Sequence, residues 1–291
     1  MSAEAHRFDP TILREYDVRG VVGQTLHAAD ARALGRAFAT IVREAGGRRL
    51  ALGYDGRLSS PELAEAVEQG LRAGGCDVLR IGRGPTPMLY YAVNELDTDG
   101  GIQVTGSHNP PDHNGFKLML GKRSFFGEDI QKLGRIAAEG AFASGQGAVE
   151  DVDLMDRYVD RLLRGLNVGS GFQVAWDAGN GAVGDALVKL TDRLPGDHHL
   201  LNATVDGNFP AHHPDPTVPE NLEQLQEAVR TRGCDLGFAF DGDGDRIGLV
   251  DGHGRILWGD QMLALIARDV LQRNPGAPII ADVKASQVLF D

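Results

Sequence analysis

The sequence predicts an α/β protein made of two related layered units followed by the start of a third. Two observations carry that reading. Between residues 50 and 104 the chain alternates strand, helix, strand, helix, strand, the order that builds βαβ layers. There is also a rough internal echo. Leu71-Arg72-Ala73-Gly74-Gly75-Cys76-Asp77-Val78 resembles Val229-Arg230-Thr231-Arg232-Gly233-Cys234-Asp235-Leu236, each a helix end, glycine, cysteine, aspartate and strand. At 291 residues with 39 glycines, the chain can bury two cores and make many tight strand–helix turns.

The elements follow in order. Tyr16 to Val22 starts a strand with a glycine-punctuated turn. Asp30 to Ala45 places Leu34, Phe38, Ile41 and Val42 on one helical face, and Gly46-Gly47 closes it. Leu50 to Tyr54 is a strand, and Asp55-Gly56-Arg57 turns after it. Ser60-Pro61-Glu62 supplies a cap, a proline at the first helical position and an acid in the first turn, so a helix begins there. Its buried stripe is Leu63, Val67 and Leu71. A strand through Val78 and Ile81 leads to the stiff loop Arg83-Gly84-Pro85-Thr86-Pro87 and the helix Met88 to Asn94.

Gly101 to Val104 is the next strand, and a turn-rich stretch, Asp112 to Lys117, lies a loop beyond it. A helical pattern runs from Phe125 to Phe142, and Ala143-Ser144-Gly145-Gln146-Gly147 reads as a linker. Leu154 to Leu166 opens the second unit as a helix. Phe172 to Trp176 is a strand, and the glycine-rich loop Asp177 to Ala182 runs into a helix, Val183 to Leu190. That loop suits either an anion at a helix N-terminus or close backbone packing. His198-His199 and the Pro-rich Phe209 to Pro216 with His212-His213 read as structural loops, because neighbouring histidines do not share a face for zinc. Ile247 to Val250 and Arg255 to Trp258 bracket a hairpin turn, Asp251 to Gly254. Asp260 to Leu271 is an apolar-faced helix, Pro278 to Val283 a strand, and Ser286 to Asp291 the first turn of a helix. One turn cannot bury its face alone, so the chain is expected to be a truncated piece of a longer protein.

Composition excludes several function classes. A net charge of −12 argues against a general nucleic-acid or anionic-membrane binder, and an anionic ligand would need locally gathered Arg and Lys. No apolar run approaches the ~20 residues of a membrane span. The two cysteines, Cys76 and Cys234, begin apolar strand-like runs and are expected as buried reduced thiols. The N-terminal Met1 to Arg7 lacks the apolar core of a signal peptide, so the cytoplasm is the expected location.

Two stretches carry chemistry. Thr105-Gly106-Ser107-His108-Asn109-Pro110-Pro111 follows a strand, so one serine enters a loop with an imidazole and an amide beside it. Gly106 permits a close approach or a positive φ, and the prolines stiffen the exit. The second is Asp241-Gly242-Asp243-Gly244-Asp245-Arg246 after the strand Phe238 to Phe240. Three carboxylates at alternate positions repel one another unless a cation sits among them, and a hard oxygen-seeking ion such as Mg2+ or Ca2+ answers that need. A calcium-sensing loop is disfavoured, since its sixth and twelfth positions would be Arg246 and Gly252. A serine, a divalent cation and an adjacent arginine together suggest phosphoryl transfer.

These motifs resemble those of the α-D-phosphohexomutases, closest to their bacterial phosphomannomutase/phosphoglucomutase branch. Thr105 to Pro111 with Asn114-Gly115-Phe116-Lys117 resembles that family's active-site serine loop, and Asp241 to Arg246 its magnesium loop. Arg14-Glu15-Tyr16-Asp17-Val18-Arg19-Gly20 and Asp206-Gly207-Asn208-Phe209-Pro210 are also similar to it. The resemblance implies α/β/α layers with mixed sheets. It implies a phosphoserine domain over 1–150, a metal-binding domain over 151–253 and part of a third over 254–291. Sugar-reading and phosphate-binding loops would lie in later parts. It implies that hexose 1-phosphate and hexose 6-phosphate of mannose and/or glucose interconvert through phospho-Ser107 and hexose 1,6-bisphosphate, which also serves as activator. One Mg2+ would be held by Asp241, Asp243, Asp245 and, through its phosphate, Ser107. Tyr16, Arg19 and Arg246 would bind substrate or phosphate. Lys117 and Arg19 would move protons or stabilise charge. His108 is a candidate acid or base, or a residue that orients the loop. Hexose phosphates are the expected partners of a monomer. A magnesium-dependent serine phosphatase and a catalytically impaired sugar-phosphate-binding fragment are the alternatives.

Overall fold

The computed structural model describes residues 4–166 and 171–290. Its first half is a mixed sheet between two helical layers. In chain order the elements are β1 (Val18–Val21), α1 (Ala28–Glu44), β2 (Arg49–Tyr54), α2 (Ser60–Ala73), β3 (Asp77–Arg83), α3 (Thr86–Glu95), β4 (Gly100–Val104), β5 (His113–Leu120), β6 (Arg123–Ser124), α4 (Glu128–Glu139) and β7 (Val149–Asp151). The strand order is β1-β5-β4-β2-β3-β7, with β6 hydrogen-bonded to β5. Strands β4, β2, β3 and β7 are parallel, and β5 runs antiparallel to both β4 and β1. Leu34, Phe38 and Val42 of α1 and Leu63, Val67 and Leu71 of α2 are buried on one face of this sheet, with Ile130 and Leu133 of α4. Met88, Leu89 and Val93 of α3 fill the other face.

The second half repeats the plan on a smaller scale. It comprises α5 (Met155–Leu163), β8 (Phe172–Asp177), α6 (Gly184–Thr191), β9 (Gly196–Leu201), α7 (Glu223–Arg232), β10 (Leu236–Phe240), β11 (Ile247–Asp251), β12 (Ile256–Leu257) and α8 (Gly259–Arg273). The sheet order is β12-β11-β10-β8-β9. Strands β10, β8 and β9 are parallel, while β11 and β12 form an antiparallel edge. Leu225 and Val229 of α7 pack on one face, and Leu187 of α6 joins Trp176 and Phe240 on the other.

The internal echo has a geometric counterpart. Gly75 and Gly233 both take positive φ, at 86° and 67°. The following Cys76 N–H donates to Leu71 O, and Cys234 N–H to Val229 O, each at 3.0 Å. This is the six-residue closure that ends a helix at a left-handed glycine. Both thiols are free and buried.

Four expectations are corrected. The stretch Asp112 to Lys117 is mostly strand, because β5 finds backbone partners on both sides, β4 and β1. His198-His199 lies within β9 rather than a loop, paired in parallel with β8. Pro278 to Val283 is not a strand: no neighbouring strand pairs with it among the described residues, and Ile280 and Val283 are exposed. The expected terminal helix is a short 3-10 turn, Gln287–Leu289. Among the described residues no helix is long and apolar enough to cross a membrane.

Candidate active site

Strand β4 of the first sheet and strand β10 of the second end at the same place. Beyond β4 the chain turns through Thr105 and Gly106 to Ser107, which takes a left-handed φ of 50°. Beyond β10 it enters Asp241 to Arg246. The Ser107 hydroxyl donates to Asp241 Oδ2 at 2.8 Å, across 134 residues of sequence. Two glycines permit the approach. A Cβ on Gly242 would collide with the Ser107 carbonyl, and one on Gly106 with the Arg57 guanidinium.

A buried pair holds the serine loop. Arg57 is 1% exposed and spends its guanidinium on that loop's backbone. Its Nη1 donates to Pro110 O at 2.6 Å and His113 O at 3.0 Å. Its Nη2 donates to Asn109 O at 2.7 Å and Ser107 O at 2.8 Å. Asp55 sits beside it, with Nε 3.2 Å from Asp55 Oδ2. Asp55 also accepts from Thr105 Oγ1 at 2.8 Å, Gly106 N at 3.1 Å and Ser60 Oγ at 2.5 Å. Thr105 Oγ1 in turn accepts the Ser107 N–H at 2.8 Å. The Phe209 ring packs on the guanidinium, 5.1 Å from its centroid, which places the segment Asp206 to Pro210 against this clamp.

The aspartate loop is equally directed. The three carboxylates of Asp241, Asp243 and Asp245 offer oxygens within 4.8 Å of one another. Asp241 Oδ1 accepts the backbone N–H groups of Asp245 and Arg246, each at 3.0 Å. Burial, then repulsion from Asp243 and Asp245, pushes the Asp241 carboxyl up to about 8. Burial also pushes Asp243 upward, but the Lys117 charge and hydrogen bonds from Lys117 and Thr86 outweigh it, so Asp243 ends below its ordinary value. Lys117 Nζ donates to Asp243 Oδ2 at 2.7 Å and pairs also with Asp245. Desolvation works against the ammonium, and the two carboxylates reverse that, leaving Lys117 raised.

Tyr16, Arg19 and Arg246 line one cleft of about 380 Å3 with Ser107 and Lys117. Arg19, paired with Asp17, has its Nε buried without a hydrogen-bond partner. Tyr16 is exposed at the cleft, and Arg246 and Tyr90 complete its wall. His108 Nδ1 lies 3.2 Å from the Ser107 hydroxyl. Burial, then the Arg246 charge, pulls His108 below the ordinary histidine value, so its ring is neutral at pH 7. The structure therefore gathers Ser107, His108, Lys117, Asp241, Asp243 and Asp245 by direct contact. It sets Arg19, Tyr16 and Arg246 around the cleft without contact to the serine hydroxyl.

Two family models match this chain: phosphoglucomutase/phosphomannomutase alpha/beta/alpha domain I over residues 10–144, and domain II of the same family over residues 156–254. The chain belongs to the α-D-phosphohexomutase family. A phosphomannomutase/phosphoglucomutase of Pseudomonas aeruginosa is 45% identical over 289 residues, covering 99% of this chain and 62% of that protein. A phosphoglucomutase of Neisseria gonorrhoeae is 47% identical over 281 residues, covering 96% and 61%. The chain thus spans about three-fifths of the length of the curated relatives it matches. A crystal structure of a phosphoglucomutase/phosphomannomutase family protein from Burkholderia thailandensis superposes with a TM-score of 0.93 at 43% identity, covering 97% of this chain and 63% of that one.

Whether the aspartates of this chain fit a divalent cation can be judged from their own bonding. Asp243 Oδ1 is buried and has no hydrogen-bond partner. A bare carboxylate oxygen in a dry site costs free energy unless something positive meets it. With three hard oxygen donors around it, Mg2+ fits. The sequence reading passed over Asp55, Arg57 and Thr86. The available signal was position: Asp55 and Arg57 follow a parallel strand adjacent to β4, at the strand ends where such sheets build their sites.

Proposed function

We propose that the protein is a phosphohexomutase that interconverts the 1- and 6-phosphates of mannose and/or glucose through phospho-Ser107 and hexose 1,6-bisphosphate. The observation that carries this is the 2.8 Å contact between the Ser107 hydroxyl and Asp241, one of three clustered aspartates. The relatives at 45% and 47% identity, named phosphomannomutase/phosphoglucomutase and phosphoglucomutase, support the same reading.

In the reaction, a sugar hydroxyl oxygen attacks phosphorus, and the bond from phosphorus to Ser107 Oγ breaks. The hydroxyl proton leaves to a neighbouring base, and Oγ regains a proton as the serine is released. The bisphosphate then reorients, and its other phosphoryl group returns to Ser107 by the same steps in reverse. Asp241, Asp243 and Asp245 would hold one Mg2+, together with a phosphate oxygen on Ser107. When bound, the cation supplies charge stabilisation for the transferring phosphoryl group. Lys117 and Arg19 carry positive charge to the phosphate, and Arg246 and Tyr16 help bind substrate. His108, neutral and beside Oγ, can accept or return the serine proton or orient the loop. If the bisphosphate escapes, Ser107 is left bare, so added hexose 1,6-bisphosphate acts as activator. Residues 1–150 form the phosphoserine domain, 151–253 the metal domain and 254–291 part of a third in this reading. A cytoplasmic location fits the two buried free thiols, and the monomeric state expected in this reading is checked by light scattering.

The test is product analysis by phosphorus NMR after incubation with Mg2+, glucose 1-phosphate and hexose 1,6-bisphosphate, repeated with mannose 1-phosphate. Hexose 6-phosphate is expected, and its formation should vanish in Ser107→Ala while the fold is retained. Free phosphate as the main product would replace the mutase with a phosphatase. Turnover by the alanine variant would remove Ser107 from the mechanism.

A further inference from the structure

Thr86 belongs to the first sheet's helical layer, yet both of its polar backbone and side-chain donors reach the second unit. Its Oγ1 donates to Asp243 Oδ2 at 2.5 Å, and its N–H donates to Asp243 O at 2.8 Å. Both residues are 0% exposed. Thr86 is the first residue of α3, preceded by Pro85 in an extended conformation and followed by Pro87. Prolines on either side fix φ and leave this residue little freedom to turn away. The Lys117 ammonium donates to the same Oδ2 at 2.7 Å. Two donors therefore converge on one oxygen of Asp243, and the other, Oδ1, is buried with none.

That asymmetry fixes the rotation of the carboxylate. A half-turn about the Cβ–Cγ bond only exchanges two identical oxygens, so what the surroundings decide is the tilt of the carboxylate plane. Here one oxygen receives a hydroxyl and an ammonium, and the other, buried among the clustered carboxyls, has no hydrogen-bond partner. A free carboxylate rotates over a broad, roughly two-fold well. The two donors narrow it. Thr86 also does this without adding charge: a second cation on Oδ2 would draw electron density away from Oδ1 and compete with a metal for the cluster. Carboxylates that ligate metals are usually held by such outer partners, whose removal costs 10- to 100-fold in affinity.

We propose that Thr86 is a positioning residue for the cation site: its hydroxyl orients Asp243 so that Oδ1 faces a divalent cation, tying the first unit to metal binding in the second. This rests on the cation reading of Asp241, Asp243 and Asp245 given above. Calorimetric titration of the full chain with Mn2+, read without any sugar phosphate, tests it separately from catalysis. Thr86→Val keeps the shape and removes the donor, and should weaken Mn2+ binding by about 10- to 100-fold. Thr86→Ser restores the donor and should bind within about 3-fold of wild type. Circular dichroism and melting curves confirm that each variant is folded. Should the valine variant fail to fold, Thr86→Ala takes its place as a second variant that lacks the hydroxyl donor. Wild-type Mn2+ affinity in the donor-less variant, with binding abolished in Asp243→Asn, overturns the role of Thr86 and leaves the cation site standing. No Mn2+ binding by the wild type overturns both.

Discussion

At Arg57, a fully buried guanidinium faces four backbone carbonyls and one carboxylate rather than a single ion-pair partner. Burial, the largest influence, pulls its pKa below the ordinary arginine value, and Asp55 and then Asp243 push back. An arginine remains charged under any such shift, so its positive charge must be met by acceptors it can reach. The planar fork does this for the loop that carries Ser107. Arg57→Met removes every guanidinium donor and leaves the buried Asp55 without its cation. Breaking a buried pair in this way costs about 3–5 kcal/mol. Denaturant unfolding should show that loss. Arg57→Lys should recover only part of it, because one ammonium cannot span four carbonyls. Unchanged stability in the methionine variant would mean that the loop is held by something other than this clamp. The residue scale also shows where sequence reading stops. Ser107 with His108, and Asp241 with Asp243 and Asp245, are legible because each motif is contiguous. Arg57 and Thr86 are not, because their partners lie 50 and 157 residues away, and neither a turn arginine nor a loop threonine signals a distant contact.

Between elements, the loop from Phe209 to Pro216 is fastened to the end of β8 by His212, whose Nε2–H donates to Asp177 Oδ2 at 2.9 Å. The hydrogen bond to Asp177, the largest influence, raises the His212 pKa against the cost of burial. The sign follows from linkage. A histidine bound more tightly to its proton in the folded state adds stability that is full below its unfolded value, about 6.5, and is lost as pH rises through the folded value. The melting-temperature advantage of wild type over His212→Gln should therefore shrink as pH rises above about 6.5. A constant difference across that range would show that His212 contributes only shape. Gly75 and Gly233 give a second test at this scale. Each holds a helix-ending turn at positive φ, so Gly75→Ala and Gly233→Ala should each lower stability by about 1–2 kcal/mol in denaturant unfolding. A neutral outcome at either would show that its turn can re-form without the left-handed residue. The echo around Cys76 and Cys234 was readable because such turns demand glycine at one fixed place. The misread run Pro278 to Val283 shows the converse. Apolar β-branched residues make a strand only where a sheet edge offers backbone partners, and no local pattern reports an edge.

Across the whole molecule, the site is a seam. Ser107, Lys117 and Thr86 come from the first sheet's unit, and Asp241, Asp243 and Asp245 from the second. Three carboxylates are gathered there in a chain of net charge −12, so the cluster works against folding until positive charge reaches it. Lys117 offsets part of this through Asp243 and Asp245. A divalent cation should offset more, and because its ligands and their supports span both units, it should stabilise both together. Binding to the folded state alone adds about 2.7 kcal/mol when the cation is present at 100 times its dissociation constant. The expected outcome is a melting transition several degrees higher in Mg2+ than in chelator, reported alike by far-ultraviolet dichroism and by Trp176 and Trp258 fluorescence. Asp243→Asn should lose most of that shift, since it trades a buried charged ligand for a neutral amide. A shift complete in the fluorescence but only partial in the dichroism, which reports the elements of both units, would confine the cation's effect to the second unit and break the coupling across the seam.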